Sequence, residues 1–190
     1  MANTTRERLL DTAADLFYQQ GFQSVGLDQI LDKVGITKTA FYMHFESKDE
    51  LIVAVLEHRD KSGIEEMLAF MRARGGDPRT QILALFDHLA EWFKEPGFRG
   101  CLFMNAATEF PSPNDPIHKA AEAHGAHIAR EVARLVKASG HARPEALTSQ
   151  IMLMMTGAIA SRHAGGQADS AETAKAAVMV LLGMAAVKAA

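Results

Sequence analysis

Apolar residues recur along almost the whole chain at helical spacing. Leu10, Ala13, Ala14 and Phe17 fall at i, i+3, i+4 and i+7, which predicts a first helix that Gly21 can end. Leu27, Ile30, Leu31 and Val34 repeat the spacing in a shorter second helix closed by Gly35. Thr37 then starts a very short third helix, expected to run to about Phe45. Ser47 and Glu50 have capping-box spacing ahead of Leu51, Ile52, Val55 and Leu56, so a long fourth helix begins there. Asp77-Pro78 pairs an N-cap with a first-turn proline and launches Ile82, Leu85, Phe86, Leu89 and Phe93 along one face, until Pro96-Gly97 stops the helix. A helical patch runs from Cys101 to Phe110. Asp115-Pro116 starts another helix, with Ile117, Ala121, His124, Ile128 and Leu135 on one stripe, ending near Gly140. Two more are predicted, from Pro144 to Ala164 and from Ser170 to Val187, the latter behind an Asp169/Glu172 capping box. No alternating strand pattern competes with these, so the predicted class is all-α with about nine helices.

Composition narrows the class. The 190 residues are 48% hydrophobic and 23% charged, the balance of a chain that buries a core, which argues against disorder. The longest apolar stretches, Ile151–Met155 and Ala176–Val187, are shorter than the roughly 20 residues a bilayer requires. No basic segment followed by an apolar run opens the chain, so export is not expected. A single cysteine fits a reducing cytoplasm. The net charge of −3 argues against a protein that coats nucleic acid through bulk charge.

The second and third helices are short, apolar on one side, and joined by Val34-Gly35-Ile36-Thr37. That is the layout of a helix-turn-helix, in which glycine permits the tight turn and the second helix enters the major groove. With Ile36, Ala40 and Phe41 inward, Thr37, Lys38, Thr39, Tyr42 and His44 are left outward. This set is polar, donor-rich and carries one aromatic, as a groove-reading face requires. Charge complicates the picture. Residues 1–50 hold five Lys or Arg against eight Asp or Glu, so binding would rely on a local cluster, helix dipoles and doubling by dimerisation.

Gly21-Phe22, Ile30, the run Gly35-Ile36-Thr37-Lys38-Thr39-Ala40-Phe41-Tyr42-Met43-His44-Phe45, and Ser47-Lys48-Asp49-Glu50-Leu51 together resemble the DNA-binding domain of the TetR family of bacterial transcriptional regulators. The likeness covers about 45 residues at fixed spacing, and the rest of the chain resembles the family in helix number and order. The resemblance implies a DNA-binding domain over residues 1–48 and a ligand-binding and dimerisation domain over 49–190. It implies a homodimeric repressor on a palindromic double-stranded DNA operator, controlled by a small organic inducer, with no membrane, cofactor or metal. By position, Tyr42 and His44 would contact phosphates, Lys48 would donate to a phosphate, and Thr37, Lys38 and Thr39 would reach base edges or backbone. Gly26 stands where members often carry a capping Ser or Thr that touches phosphate, so Ser24 or a backbone N–H would substitute.

In the sensor half, apolar side chains at helical spacing are first of all core. The ten methionines add adaptable surface for varied apolar ligands. The expected ligand set is Phe86, Trp92, Cys101, Asn105, His124, His127 and Met155, with Asn105 and the two histidines as orienting polar groups. For His124, a hydrogen-bonded core histidine is the competing reading. Cys101 follows Arg99 and lies near a helix start, which would depress its pKa and favour reaction with electrophiles, and the alternative is an inert filler. The run Gly100-Cys101-Leu102 followed by Asn105 and Glu109 is similar to a subset of TetR-family regulators, some of which sense electrophiles through cysteine. A thiol-dependent or small-molecule-binding helical enzyme is the alternative function, without a nucleophile elbow, phosphate loop or metal signature behind it. For the dimer, Ile151, Met155, Ala158, Ile159, Val178, Leu181, Leu182 and Ala185 are the expected face, against burial within one subunit.

Overall fold

In the computed structural model, the structure describes residues 4–184, and these hold nine helices and no strand. They are α1 Thr5–Gln20, α2 Leu27–Val34, α3 Lys38–Tyr42, α4 Lys48–Ala73, α5 Pro78–Trp92, α6 Leu102–Glu109, α7 Pro116–Ala138, α8 Pro144–Gly165 and α9 Ser170–Leu181. The all-α expectation therefore holds for the described chain.

Side chains fix the helix starts. Thr4 and Glu7 form a reciprocal capping box at α1, a Thr-x-x-Glu signal that the sequence reading passed over, and those bonds hold the Glu7 carboxyl below its ordinary range. Asp77 accepts the Thr80 N–H at 2.8 Å and starts α5 with Pro78 behind it. Ser47 accepts the Glu50 N–H at 3.1 Å, while the Glu50 carboxylate turns back to the N–H of Glu46 instead of Ser47. The expected box at α9 does not form. Asp169 has φ −94° and ψ 14°, away from the extended backbone an N-cap uses, and makes no side-chain cap. The helix also ends earlier than the pattern suggested. Gly183 and Met184 return their N–H groups to the carbonyls of Val180 and Met179, closing α9 with a Schellman turn. Ala185 and Val187 lie outside the described residues.

Two compact units emerge. One comprises Met1–Gly63 with Cys101–His124, and the other Ile64–Gly100 with Gly125–Ala190. In the first, Phe17, Phe22, Phe41, Leu51, Ile52 and Leu56 are fully buried in a core that α6 and the start of α7 complete through Leu102, Phe103, Ala106 and Ile117. In the second, α9 packs on both α5 and α8. The Ser170 hydroxyl donates to the Ala158 carbonyl at 2.9 Å, and Lys175 pairs with Asp87 at 2.6 Å.

The expected dimer face needs correction. Ile151, Met155, Ala158, Ile159, Val178 and Leu182 are all buried within the second unit, so burial in one subunit accounts for them. Leu181 is half-buried, and the exposed large apolar residues of the same two helices are Leu153, Met154 and Val180. The reason is that the middle of α8, Ile151 to Met155, is an unbroken apolar run, and periodicity alone does not say which side of it is core.

Candidate nucleic-acid interface

The turn between α2 and α3 is built by backbone geometry. Gly35 takes φ 74° and ψ 43°, a left-handed conformation that glycine adopts without a Cβ penalty. Its N–H and that of Ile36 both bond to the Leu31 carbonyl, at 2.8 and 3.2 Å, which closes α2. The Arg8 guanidinium donates to the carbonyl of Val34, satisfying another orphan acceptor of that helix end. Thr37 caps α3 by accepting the Ala40 N–H at 3.2 Å, leaving its hydroxyl proton free to be given to a ligand.

Phe41 pins α3 to the core. It is fully buried and packs against Phe45 at 5.8 Å between ring centroids and Tyr42 at 5.4 Å. α3 stops at Tyr42 rather than near Phe45, because the N–H groups of His44 and Phe45 both converge on the Phe41 carbonyl. With Phe41 held inside, Thr37, Lys38, Thr39, Tyr42 and His44 are all exposed on one short stretch, and Met43 beside them is 80% exposed. Five of the six expected DNA-contacting residues are thus brought together. Lys48 is different. It is half-buried at the start of α4, with its ammonium 6.0 Å from the Phe17 ring centroid. Burial pushes its pKa down, against the opposing pull of Asp49 and Glu109. Gly26 begins α2 with no side-chain cap, as the sequence implied.

The expected ligand set does not gather within one unit. Cys101, Asn105 and His124 belong to the first unit, whereas Phe86, Trp92, His127 and Met155 belong to the second. His124 is half-buried and hydrogen-bonded within its unit: its Nδ1 lies 2.7 Å from Asp60 and its ring stacks on Phe103 at 3.6 Å. Phe86 is fully buried among the core residues of its unit, and Trp92 packs edge-on against Phe98 at 4.9 Å. A groove of about 440 Å³ on the second unit is lined by Ala129, Arg130, Ala133, Lys137, Pro144, Glu145 and Thr148, none of them in the expected set.

The expected depressed thiol is also corrected. Cys101 caps the start of α6, and burial pushes its pKa up, outweighing the N–H groups of Met104 and Phe103 that favour the thiolate. Among the described residues no group of three or more His, Cys, Asp or Glu could hold a metal ion.

Residues 9–55, which include the whole α2–turn–α3 element, match the profile described as "Bacterial regulatory proteins, tetR family". Residues 78–178 match "Tetracyclin repressor-like, C-terminal domain". The chain belongs to the TetR family. Among solved TetR-family structures, the transcriptional regulator SCO4454 from Streptomyces coelicolor is similar over 94% of both chains, at 32% identity and a TM-score of 0.86. The transcriptional repressor NemR of Escherichia coli is 32% identical over 106 residues, 55% of this chain and 53% of that protein. The regulator AcrR of Shigella flexneri is 33% identical over 90 residues, 47% of this chain and 42% of that protein. This TetR-family chain therefore spans about half the length of the curated relatives it matches.

Glu109, named in the sequence only as part of the pattern that follows Cys101, makes contacts that the pattern did not foretell. Its carboxylate accepts the N–H of Phe22 at 3.0 Å and of Gln23 at 2.8 Å, in the turn between α1 and α2. A separation of 86 to 87 residues leaves no local pattern to find it by.

Proposed function

We propose that this TetR-family chain is a sequence-specific DNA-binding transcriptional regulator, a repressor that holds a near-palindromic operator as a homodimer. The observation that carries the reading is the exposed set Thr37, Lys38, Thr39, Tyr42 and His44, presented on a helix anchored by buried Phe41 and a glycine turn. Thr37, Lys38 and Thr39 would reach base edges or the neighbouring backbone, while Tyr42 and His44 would contact phosphates. Lys48 joins them by swinging its ammonium off Phe17 toward the backbone. Residues 1–48 would bind DNA, and 49–190 would bind a small apolar or amphipathic inducer and dimerise. The exposed Leu153, Met154 and Val180 favour an interface built from α8 and α9, since apolar side chains left outside one subunit gain by burial in a pair.

A ligand controls the operator by binding DNA-competent and incompetent states unequally. The indole of Trp92, packed with Phe93 and Phe98, is the probe for ligand entry, with Met155 and His127 in the same unit. No described helix is long and apolar enough to cross a membrane. A regulator acting on chromosomal DNA would work in the cytoplasm and without catalysis.

The test is selection of bound sequences from a random duplex library at physiological salt, followed by footprinting. We expect two half-sites about one helical turn apart. Retention that is independent of sequence, or unchanged by Tyr42→Ala, overturns the reading.

A further inference from the structure

The turn joining α1 to α2, Gly21 to Gly26, leads into the helix-turn-helix, and α6 grips it from one side. The two oxygens of Glu109 take two consecutive backbone N–H groups, Oε1 from Phe22 and Oε2 from Gln23. The Gln23 side-chain amide returns a bond of 3.0 Å to the Glu109 carbonyl. Next in sequence, Phe110 meets the Phe22 ring edge-on at 6.2 Å, and Phe22 stacks on Phe17 at 5.1 Å. Gly21 makes room for this approach. It takes φ 87°, and a Cβ there would lie 3.1 Å from Glu109 Oε1. A carboxylate with two amide donors is a charge-assisted pair that neither water nor a neutral amide reproduces at the same angles.

We propose that Glu109 is a positioning residue for operator binding: a latch from α6 that fixes the α1–α2 turn and with it the stance of α2 and α3. The inference rests on the DNA-binding reading above, and adds a residue that touches no DNA. Its physical content is a population. With the latch closed, the turn is held in one arrangement. With it open, only a fraction of molecules present α3 correctly, and apparent affinity falls by that fraction.

Glu109→Gln separates this role from simple electrostatics by sign. Glutamine offers one acceptor and sets an N–H₂ donor against the second amide, so the latch loosens. If Glu109 acted only as a negative charge near phosphates, removing that charge would tighten binding. The latch predicts the reverse, roughly tenfold weaker operator binding by the full-length protein. Glu109→Asp, which keeps both acceptors but withdraws them by one methylene, should fall between. Hydrogen exchange at the Phe22 and Gln23 amides reads the latch without DNA, and we expect it to quicken by about tenfold or more in Glu109→Gln. Unchanged exchange, or operator binding equal to or tighter than wild type, overturns the proposal. If the wild type itself retains no operator, the DNA-binding reading fails and the positioning role falls with it, while exchange still tells whether the turn was latched.

Discussion

α3 and α8 put outward-facing side chains to opposite uses. α3 has five residues, one of them fully buried, and the polar set around it is exposed because a single anchor fixes which way the helix faces. α8 has 22 residues with an unbroken apolar run at its middle, in which Ile151 and Met155 are buried while Leu153 and Met154 are exposed. A short, capped, polar helix declares its working face in its sequence. A long apolar one has two faces that look alike until one of them is packed.

That contrast breaks most sharply at α8. Leu153→Glu should leave the subunit folded but split a dimer built on α8 and α9. Operator affinity should then fall by about a hundredfold or more, because linked half-sites become independent. Sedimentation and operator titration of one sample check both. Ile151→Ala, on the buried face, should instead cost roughly 2–5 kcal/mol of stability in urea melts with the oligomer unchanged. If Leu153→Glu remains dimeric, the interface lies elsewhere.

The α3 side of the comparison carries smaller effects. Lys38→Ala should cost about 1–3 kcal/mol against the preferred operator and relax sequence preference at one position of each half-site. Lys48→Ala should weaken binding to all sequences alike and lower the salt slope by about one per subunit. Quantitative binding to a set of single-base operator variants separates the two. Equal loss on every sequence for both would make Lys38 a phosphate contact.

Legibility in the sequence followed the range of the interactions. Helices α1 to α8 were legible as elements. Caps such as Asp77-Pro78 and stops such as Gly35 marked several of their ends because they act over one turn, whereas the start of α1 and the end of α4 were not marked. The end of α9 was not, since an apolar pattern continued past the Schellman closure at Gly183. The helix-turn-helix residues were legible because their spacing is local. The hold of Glu109 on Phe22 and Gln23 was not, and neither was the Asp60 partner of His124, because each pairs residues more than sixty apart. The pKa of Cys101 was read from its sequence neighbours as depressed, whereas burial in three dimensions pushes it up.

That last point has a pH signature. Because the thiol is pushed above its ordinary value of 9.0, its thiolate is scarcer at pH 7 than that of a free cysteine. Alkylation of Cys101 in the folded protein should be slower than in the urea-unfolded chain at pH 7, by several-fold or more, and should keep rising beyond pH 9. Mass-detected adduct formation across that range decides it, and a folded thiol faster than the unfolded one would restore the reactive reading.

The smallest effect is at Gly26. The backbone there has φ −77° and ψ 154°, which serine adopts freely, and a Cβ would meet nothing within 4 Å. Gly26→Ser should therefore add a hydroxyl acceptor for the orphan N–H of Gln29 at the N-terminus of α2, worth a few tenths of a kcal/mol in a thermal melt. The same hydroxyl keeps a proton to give to a phosphate, so operator affinity should rise a few-fold if that contact is vacant in the wild type. A stability gain with unchanged affinity would place another donor at that phosphate. Ser24 is the first to examine, because its hydroxyl is two residues away on an exposed part of the same turn. Gly26→Ser with Ser24→Ala in a double-mutant cycle would then show coupling between the two positions, and additivity would exclude Ser24 as the substitute donor.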